Sequence, residues 1–184
     1  QYRAEIDGLR AIAVIAVILF HTGFETFQGG FIGVDIFLVI SGYLIASTVL
    51  TDIQRSNFSL IHFYERRARR ILPALFFVML VCSALGWFWL QPADMQDFSQ
   101  SLIAVSYFLS NFFYWQQAGY WDVASELKPL LHTWTLAIEA QFYLTFPVLL
   151  LLLWRYCRRW LLPLMIGVGM CSLAIAQWGA YTAP

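Results

Sequence analysis

Residues 31–51 read FIGVDIFLVISGYLIASTVLT, a run in which Asp35 is the single charged side chain. A helix of that length rises about 30 Å, the thickness of the hydrocarbon core of a bilayer. In water such a segment would need burial on every side, whereas in lipid it is stable as it stands. Four similar runs follow outward from it, at about residues 9–24, 71–90, 133–154 and 160–178. A further stretch, about 99–116, is short and interrupted by Ser101, Ser106, Ser110 and Asn111, which predicts a re-entrant or interfacial piece. The expected fold is all-α: a polytopic transmembrane helix bundle of about five or six membrane segments, with a basic cytoplasmic segment between the second and third.

Composition points the same way. The chain of 184 residues is 60% hydrophobic, 18% aromatic and 12% charged. Soluble domains carry about 25% charged residues because they must hydrate their whole surface. Net charge is zero, so no overall field recruits nucleic acid or another polyanion. Cys82, Cys157 and Cys171 are odd in number and widely spaced, with neither a disulfide framework nor a zinc spacing; they read as small buried apolar residues, and no metal is expected. A secretory signal over 9–24 is disfavoured because no small-residue cleavage pattern follows and His21 interrupts the run. Residues 1–184 read as one membrane domain, expected to be incomplete at its C-terminal end.

Ten of the eleven basic residues fall into three clusters: Arg3 and Arg10; Arg55, Arg66, Arg67, Arg69 and Arg70; Arg155, Arg158 and Arg159. Positive charge beside membrane helices stays in the cytoplasm. The first cluster is then inside, residues 24–30 outside and 52–70 inside again. A complete crossing by 99–116 would put the third cluster outside, against the rule. If that segment turns back instead, 117–132 lie outside with Asp94, Asp97, Asp122 and Glu126, and all three clusters lie inside.

Ionisable groups inside spans are costly and mark candidate sites. Arg10, His21, Asp35 and Glu139 qualify. Arg10 and His21 are eleven residues apart, which places them on one helix face about 16 Å apart along the axis. Histidine is a side chain suited to taking a proton from an attacking hydroxyl, which makes His21 a candidate base; the bland reading is an interfacial histidine beside an anchoring arginine. His132 and Glu139, seven apart, also share a face, and Glu139 is open to three readings: orienting His21, acting as a base, or pairing with an arginine. Ser41 and Gly42 offer a hydrogen bond and close helix approach, and are more often packing devices. Arg66, Arg67, Arg69 and Arg70 can fork onto phosphates of a ligand such as coenzyme A, or onto anionic lipid heads, just before Pro73 opens the next span. Trp134, Phe142 and Tyr143 read as packing and interface anchors.

Four segments together, EIDGLRAIAVIAVILFH, GGFIGVDIFLVISGYLI, ERRARRILP and KPLLHTWTLAIEAQFYLTFP, resemble the acyltransferase family 3 membrane proteins, of the O-antigen and peptidoglycan O-acetylase type. They stand in the family's order from Glu5 to about Pro147. The resemblance implies a catalytic role for His21, with Arg10 ahead of it in the family's spacing, and aligns the family's SG motif with Ser41 and Gly42. It aligns the cytoplasmic RxxR motif with Arg67 and Arg70, with Arg66 and Arg69 as a second pair, and the WSLSVEEQFY motif with 134–143, retaining Trp134, Glu139, Phe142 and Tyr143. Leu38, Thr135, Ala137 and Ala140 depart from the pattern; the last leaves Glu139 as the one carboxylate of the motif.

The family fold has about ten membrane helices, of which this chain supplies about the first half, and the subgroup often continues into an extracytoplasmic SGNH hydrolase-like domain. The function implied is transfer of an acyl group, most often acetyl, from cytoplasmic acyl-CoA to a hydroxyl of a cell-surface glycan outside the bacterial inner membrane. Acetyl-CoA would be the donor and the bilayer the surroundings. His21, Glu139 and Arg10 would be catalytic; Arg66, Arg67, Arg69, Arg70, Ser41, His132, Trp134 and Tyr143 would bind substrate. A secondary transporter would also bury Arg, His and Glu but usually shows inverted repeats, which are not visible here. A non-catalytic assembly protein would have no use for His21.

Overall fold

A computed structural model describes residues 4–117 and 128–182; Arg3, Asp122 and Glu126 of the reading above lie outside them. The described residues are helical and contain no strand: α1 Ala4–His21, a 3-10 turn at Glu25–Phe27, α2 Ile32–Gln54, α3 Leu60–Trp89, α4 Pro92–Ser106, α5 Ser110–Gln117, α6 Thr133–Tyr156, a 3-10 turn at Arg158–Trp160, and α7 Leu161–Thr182. Two compact units divide the chain, residues 1–144 and 145–184.

Four helical stretches are long and apolar enough to cross a bilayer: Ile32–Gln54, Leu60–Trp89, Thr133–Tyr156 and Arg158–Thr182. The protein is a multi-pass membrane protein. The first run expected from sequence differs from these, because α1 is 18 residues long and holds Glu5, Asp7 and Arg10 in its first half. Its uninterrupted apolar part is residues 11–20, about 15 Å of helix.

Helix ends follow local chemistry. α1, α2 and α4 each close with paired backbone bonds around a left-handed residue: Gly23 (φ 77°), Ser56 (φ 54°) and Phe108 (φ 55°). After α4 these are Phe108 N–H to Val105 O at 3.0 Å and Leu109 N–H to Ala104 O at 2.8 Å, the pattern that terminates a helix in a sharp turn. Phenylalanine pays about 1–2 kcal/mol to adopt that conformation. The corner is held by Gln141 of α6, whose Nε2 donates to the Phe108 carbonyl at 2.8 Å and to Asn111 Oδ1 at 3.0 Å, and by Ser110 Oγ, which donates to the Thr133 carbonyl at 3.0 Å. The stretch 99–116 is therefore broken between α4 and α5, and neither piece has the length to cross.

The arginine-rich segment is not a loop before a span. Ser59 caps α3, accepting from His62 N–H at 3.5 Å, and Arg66 to Arg70 lie on the first three turns of a 30-residue helix that runs through Pro73. Pro73 therefore lies within the helix rather than opening it.

α1 and α2 form the closest helix pair, and they run antiparallel. A Cβ at Gly30 would collide with the Ala16 carbonyl and Phe20 Cβ; one at Gly33 would collide with the Ala13 carbonyl and Val17 Cγ2. Two missing side chains let the backbones meet, which is how membrane helices gain packing energy when burial from water is not available. Gly42 has nothing within 4 Å of an added Cβ, so the close approach lies at Gly30 and Gly33 instead. α3 and α6 also oppose one another: Tyr64 OH donates to the Leu144 carbonyl at 2.9 Å near the start of α3. At the middle of α3, Leu75 packs with Phe98 and Val105 of α4 and with Leu130. Cys82, Cys157 and Cys171 are free; Cys157 and Cys171 are exposed on the chain surface rather than buried.

Candidate functional site

Within residues 1–144, α2, α3 and the start of α6, with Arg10 from α1, enclose a cavity of about 540 Å³. Its polar lining comprises Arg10, Ser41, Arg67, Arg70, His132, Glu139 and Tyr143, with Thr48, Thr133 and Thr135. From Phe37 to Thr48, Arg67 to Val78 and Thr133 to Tyr143 the lining runs about 15 Å along each helix. Because α3 and α6 are antiparallel, Arg67 and Arg70 stand at one end with Tyr143, and His132 and Thr133 stand at the other with Val78.

Two of the three cations of this cavity, Arg10 and Arg67, are held by aromatic faces. The Arg10 guanidinium lies 4.6 Å from the Phe37 ring centroid, and that of Arg67 lies 5.4 Å from Tyr143 and 5.6 Å from Phe63. Such contacts orient a guanidinium while leaving its N–H donors free. Arg10, Arg67 and Arg70 form no ion pair with another described residue; Arg69 does, to Glu65 at 2.7 Å on the exposed face of α3. Arg69 and Arg66 do not line the cavity. The helical repeat explains the split, since Arg67 and Arg70 are three apart on the inner face and Arg66 and Arg69 fall beside it.

Glu139 sits midway. Tyr143 OH, one turn on, donates a hydrogen bond to Glu139 Oε1. The same carboxylate also lines a second cavity of about 350 Å³ between α1, α2 and α6, whose other walls include Val14, Val17, Gly33 and Leu38. Phe37, Thr135 and Leu136 are likewise shared, so the polar and apolar cavities adjoin at Glu139.

His21 ends α1 and lines neither cavity. Its Nδ1 is 2.9 Å from the Val17 carbonyl. A carbonyl can only accept, so Nδ1 carries a proton; in the neutral ring this tautomer leaves the lone pair on Nε2. His21 is close enough to His132 to act on it electrostatically. His132 keeps an exposed edge, yet the desolvation of the rest of its ring first, and then His21, push it below the ordinary histidine value, against the opposing effect of a hydrogen bond with the Pro129 carbonyl.

Seven residues singled out from sequence thus come together: Arg10, Ser41, Arg67, Arg70, His132, Glu139 and Tyr143. Arg66, Arg69 and Trp134 do not join them, and Asp35 is exposed in the first turn of α2. The role of Tyr143 as a partner of the carboxylate had a sequence signal, since residues four apart on a helix face each other. The wall threonines had none.

A multi-pass helical membrane protein with arginines, a histidine and a carboxylate around a cavity between its helices is the class these features define. Within that class, the chain belongs to acyltransferase family 3, whose acyltransferase domain it matches over residues 3–182. It is 40% identical over 176 residues to the peptidoglycan O-acetyltransferase OatA of Listeria monocytogenes, covering 94% of this chain and 28% of that protein. It is 38% identical over 178 residues to the O-acetyltransferase OatA of Staphylococcus aureus, covering 95% of this chain and 29% of that protein. The chain therefore spans less than a third of the length of these relatives. No solved structure matches it.

Proposed function

We propose that this chain forms the donor and transfer site of a bacterial O-acetyltransferase, which moves acetyl from cytoplasmic acetyl-CoA to a hydroxyl of a glycan outside the cytoplasmic membrane. Peptidoglycan is the acceptor favoured over O-antigen, because that is what the Listeria relative is named for. The observation that carries the reading is the 540 Å³ cavity with arginines at one end and His132 at the other.

Arg67 and Arg70, at the end rich in positive charge, would receive the phosphates of the donor as bidentate partners. The pantetheine arm would extend along the cavity and bring the thioester towards Glu139 and the histidines. The acceptor oxygen attacks the thioester carbonyl while His21 Nε2 takes its proton. The carbon–sulfur bond breaks, and the coenzyme A thiolate leaves and is reprotonated. Arg10 and Ser41 would face the reacting carbonyl, where a fixed positive charge and a hydrogen-bond donor lower the barrier, and Glu139 would orient the groups around them. His132 is a neighbouring base, and its depressed pKa keeps it neutral.

The test is incorporation of radiolabelled acetyl from acetyl-CoA into glycan by the full-length protein in membranes. Wild type should transfer label, and His21→Ala should lose transfer at unchanged membrane abundance. Retained transfer in His21→Ala would remove that residue from the chemistry. Uptake of a solute into proteoliposomes without acyl transfer would instead make the protein a transporter.

A further inference from the structure

His132 is anchored on both sides to the α4–α5 pair, and that pair is fastened by one side chain of α6. Two positions before the histidine, Leu130 is fully buried against Leu75 of α3 and Phe98 and Val105 of α4. One position after it, the Thr133 carbonyl accepts from Ser110 Oγ at 3.0 Å, where α5 begins. His132 lies between these anchors and lines the polar cavity at the end away from Arg67 and Arg70. Its place is therefore set by the place of the corner between α4 and α5.

That corner is under strain, because Phe108 takes a left-handed conformation that disfavours a side chain. Its carbonyl accepts from Gln141 Nε2 at 2.8 Å. The same amide pairs in both directions with Asn111 of α5: Nε2 donates to Oδ1 at 3.0 Å, and Oε1 accepts from Nδ2 at 3.4 Å. One glutamine thus bonds both sides of the turn. In apolar surroundings an amide deprived of such partners is costly, which makes the fastening firm. Gln141 follows Thr133 by about 12 Å along α6, so the corner is fixed to that helix at two separate heights. Gln141 lines neither cavity, and any part it has in the reaction is exerted through other groups.

We infer that Gln141 is a positioning residue of the transfer reaction, which holds His132 at its end of the cavity through the α4–α5 corner. The inference rests on the acyl-transfer reading and gives a part in it to a side chain that touches no substrate.

Gln141→Met keeps an unbranched side chain of similar length and removes the amide, and Ser110→Ala removes the second fastening. Transfer of labelled acetyl from acetyl-CoA is measured with the full-length protein in membranes at matched abundance, and kcat and the KM for acetyl-CoA are determined separately. Each variant should lower kcat by about ten- to a hundredfold, the loss that a displacement near 1 Å produces. The KM for acetyl-CoA should stay within about twofold, because Arg67 and Arg70 lie at the far end of the cavity. In a His132→Gln background, where the positioned group is already gone, Gln141→Met should change the residual rate by no more than about twofold.

Equal losses in the two backgrounds would overturn the inference and leave Gln141 a packing element. A full rate in Gln141→Met or in His132→Gln would overturn it as well, and so would a KM for acetyl-CoA that rises in step with the fall in kcat. If Gln141→Met does not accumulate in membranes, Ser110→Ala, alone and combined with His132→Gln, is judged by the same criteria. All of these outcomes leave acetyl transfer by the wild type standing. Absence of transfer by the wild type would instead overturn the acyltransferase reading, and the positioning role with it.

Discussion

The bond between Tyr143 and Glu139 lends itself to a quantitative test. Tyr143 is 7% exposed and donates to a half-buried carboxylate one turn away. Replacing it with phenylalanine keeps the ring that faces Arg67 and removes only the hydroxyl. A hydrogen bond to a charged group is worth about 1.5–3 kcal/mol. If the bond holds the carboxylate in its working position, Tyr143→Phe should lower kcat/KM for acetyl transfer by about 10- to 150-fold.

The decisive measurement is a double-mutant cycle with Glu139→Gln, which preserves the shape and removes the charge. Tyr143→Phe should cost much less in the glutamine background, giving a coupling energy of about 1 kcal/mol or more. Rates would be followed by labelled acetyl incorporation in membranes, with protein abundance quantified alongside. Additive effects, or a loss below threefold in Tyr143→Phe, would show that the bond only fastens one turn of α6 to the next.

Arg67→Ala should raise the KM for acetyl-CoA at least tenfold, since a charged phosphate contact is lost from the cavity. Arg69→Ala should change it less than twofold, because its exposed pair with Glu65 is worth about 0.3–0.5 kcal/mol and faces away. Gly33→Leu should lower thermal stability in detergent by an amount of the order of 1–3 kcal/mol or more through overpacking against α1, whereas Gly42→Ala, with open space around it, should be near neutral. His132 is held below the ordinary histidine value near 6.5, so it stays unprotonated as pH falls through that value; an acid limb of the rate profile that disappears in His132→Gln should lie below pH 6.5, and a limb above it would contradict the burial that lowers the pKa.

The apolar runs of α2, α3, α6 and α7 were legible because lipid as solvent demands about twenty uncharged positions, and that demand is written in order along the chain. Spacing also placed His132 with Glu139 on a common face, while Arg67 and Arg70 were paired only by the family motif. Two things were hidden. The start of α3 could not be read from hydropathy, since Leu60 to Arg70 is helical through its cap and propensity rather than through apolar content. The corner at Phe108 was equally opaque, because a bulky residue in left-handed conformation breaks the usual rule and is held there by Gln141, more than thirty residues on. The sharing of Glu139 between two cavities belongs to the same category. It depends on how three helices meet, and no spacing within one helix encodes that.

The seam between α1 and α2 acts as a depth gauge. Gly30 sits against Ala16 and Gly33 against Ala13, and sliding either helix by a turn would drive a branched side chain into backbone. The height at which Arg10 stands in the bilayer is therefore indexed by two hydrogen atoms where other residues carry carbon. Changes in lipid thickness can tilt the pair as a unit, yet they cannot shift the arginine relative to Phe37 without prising the helices apart.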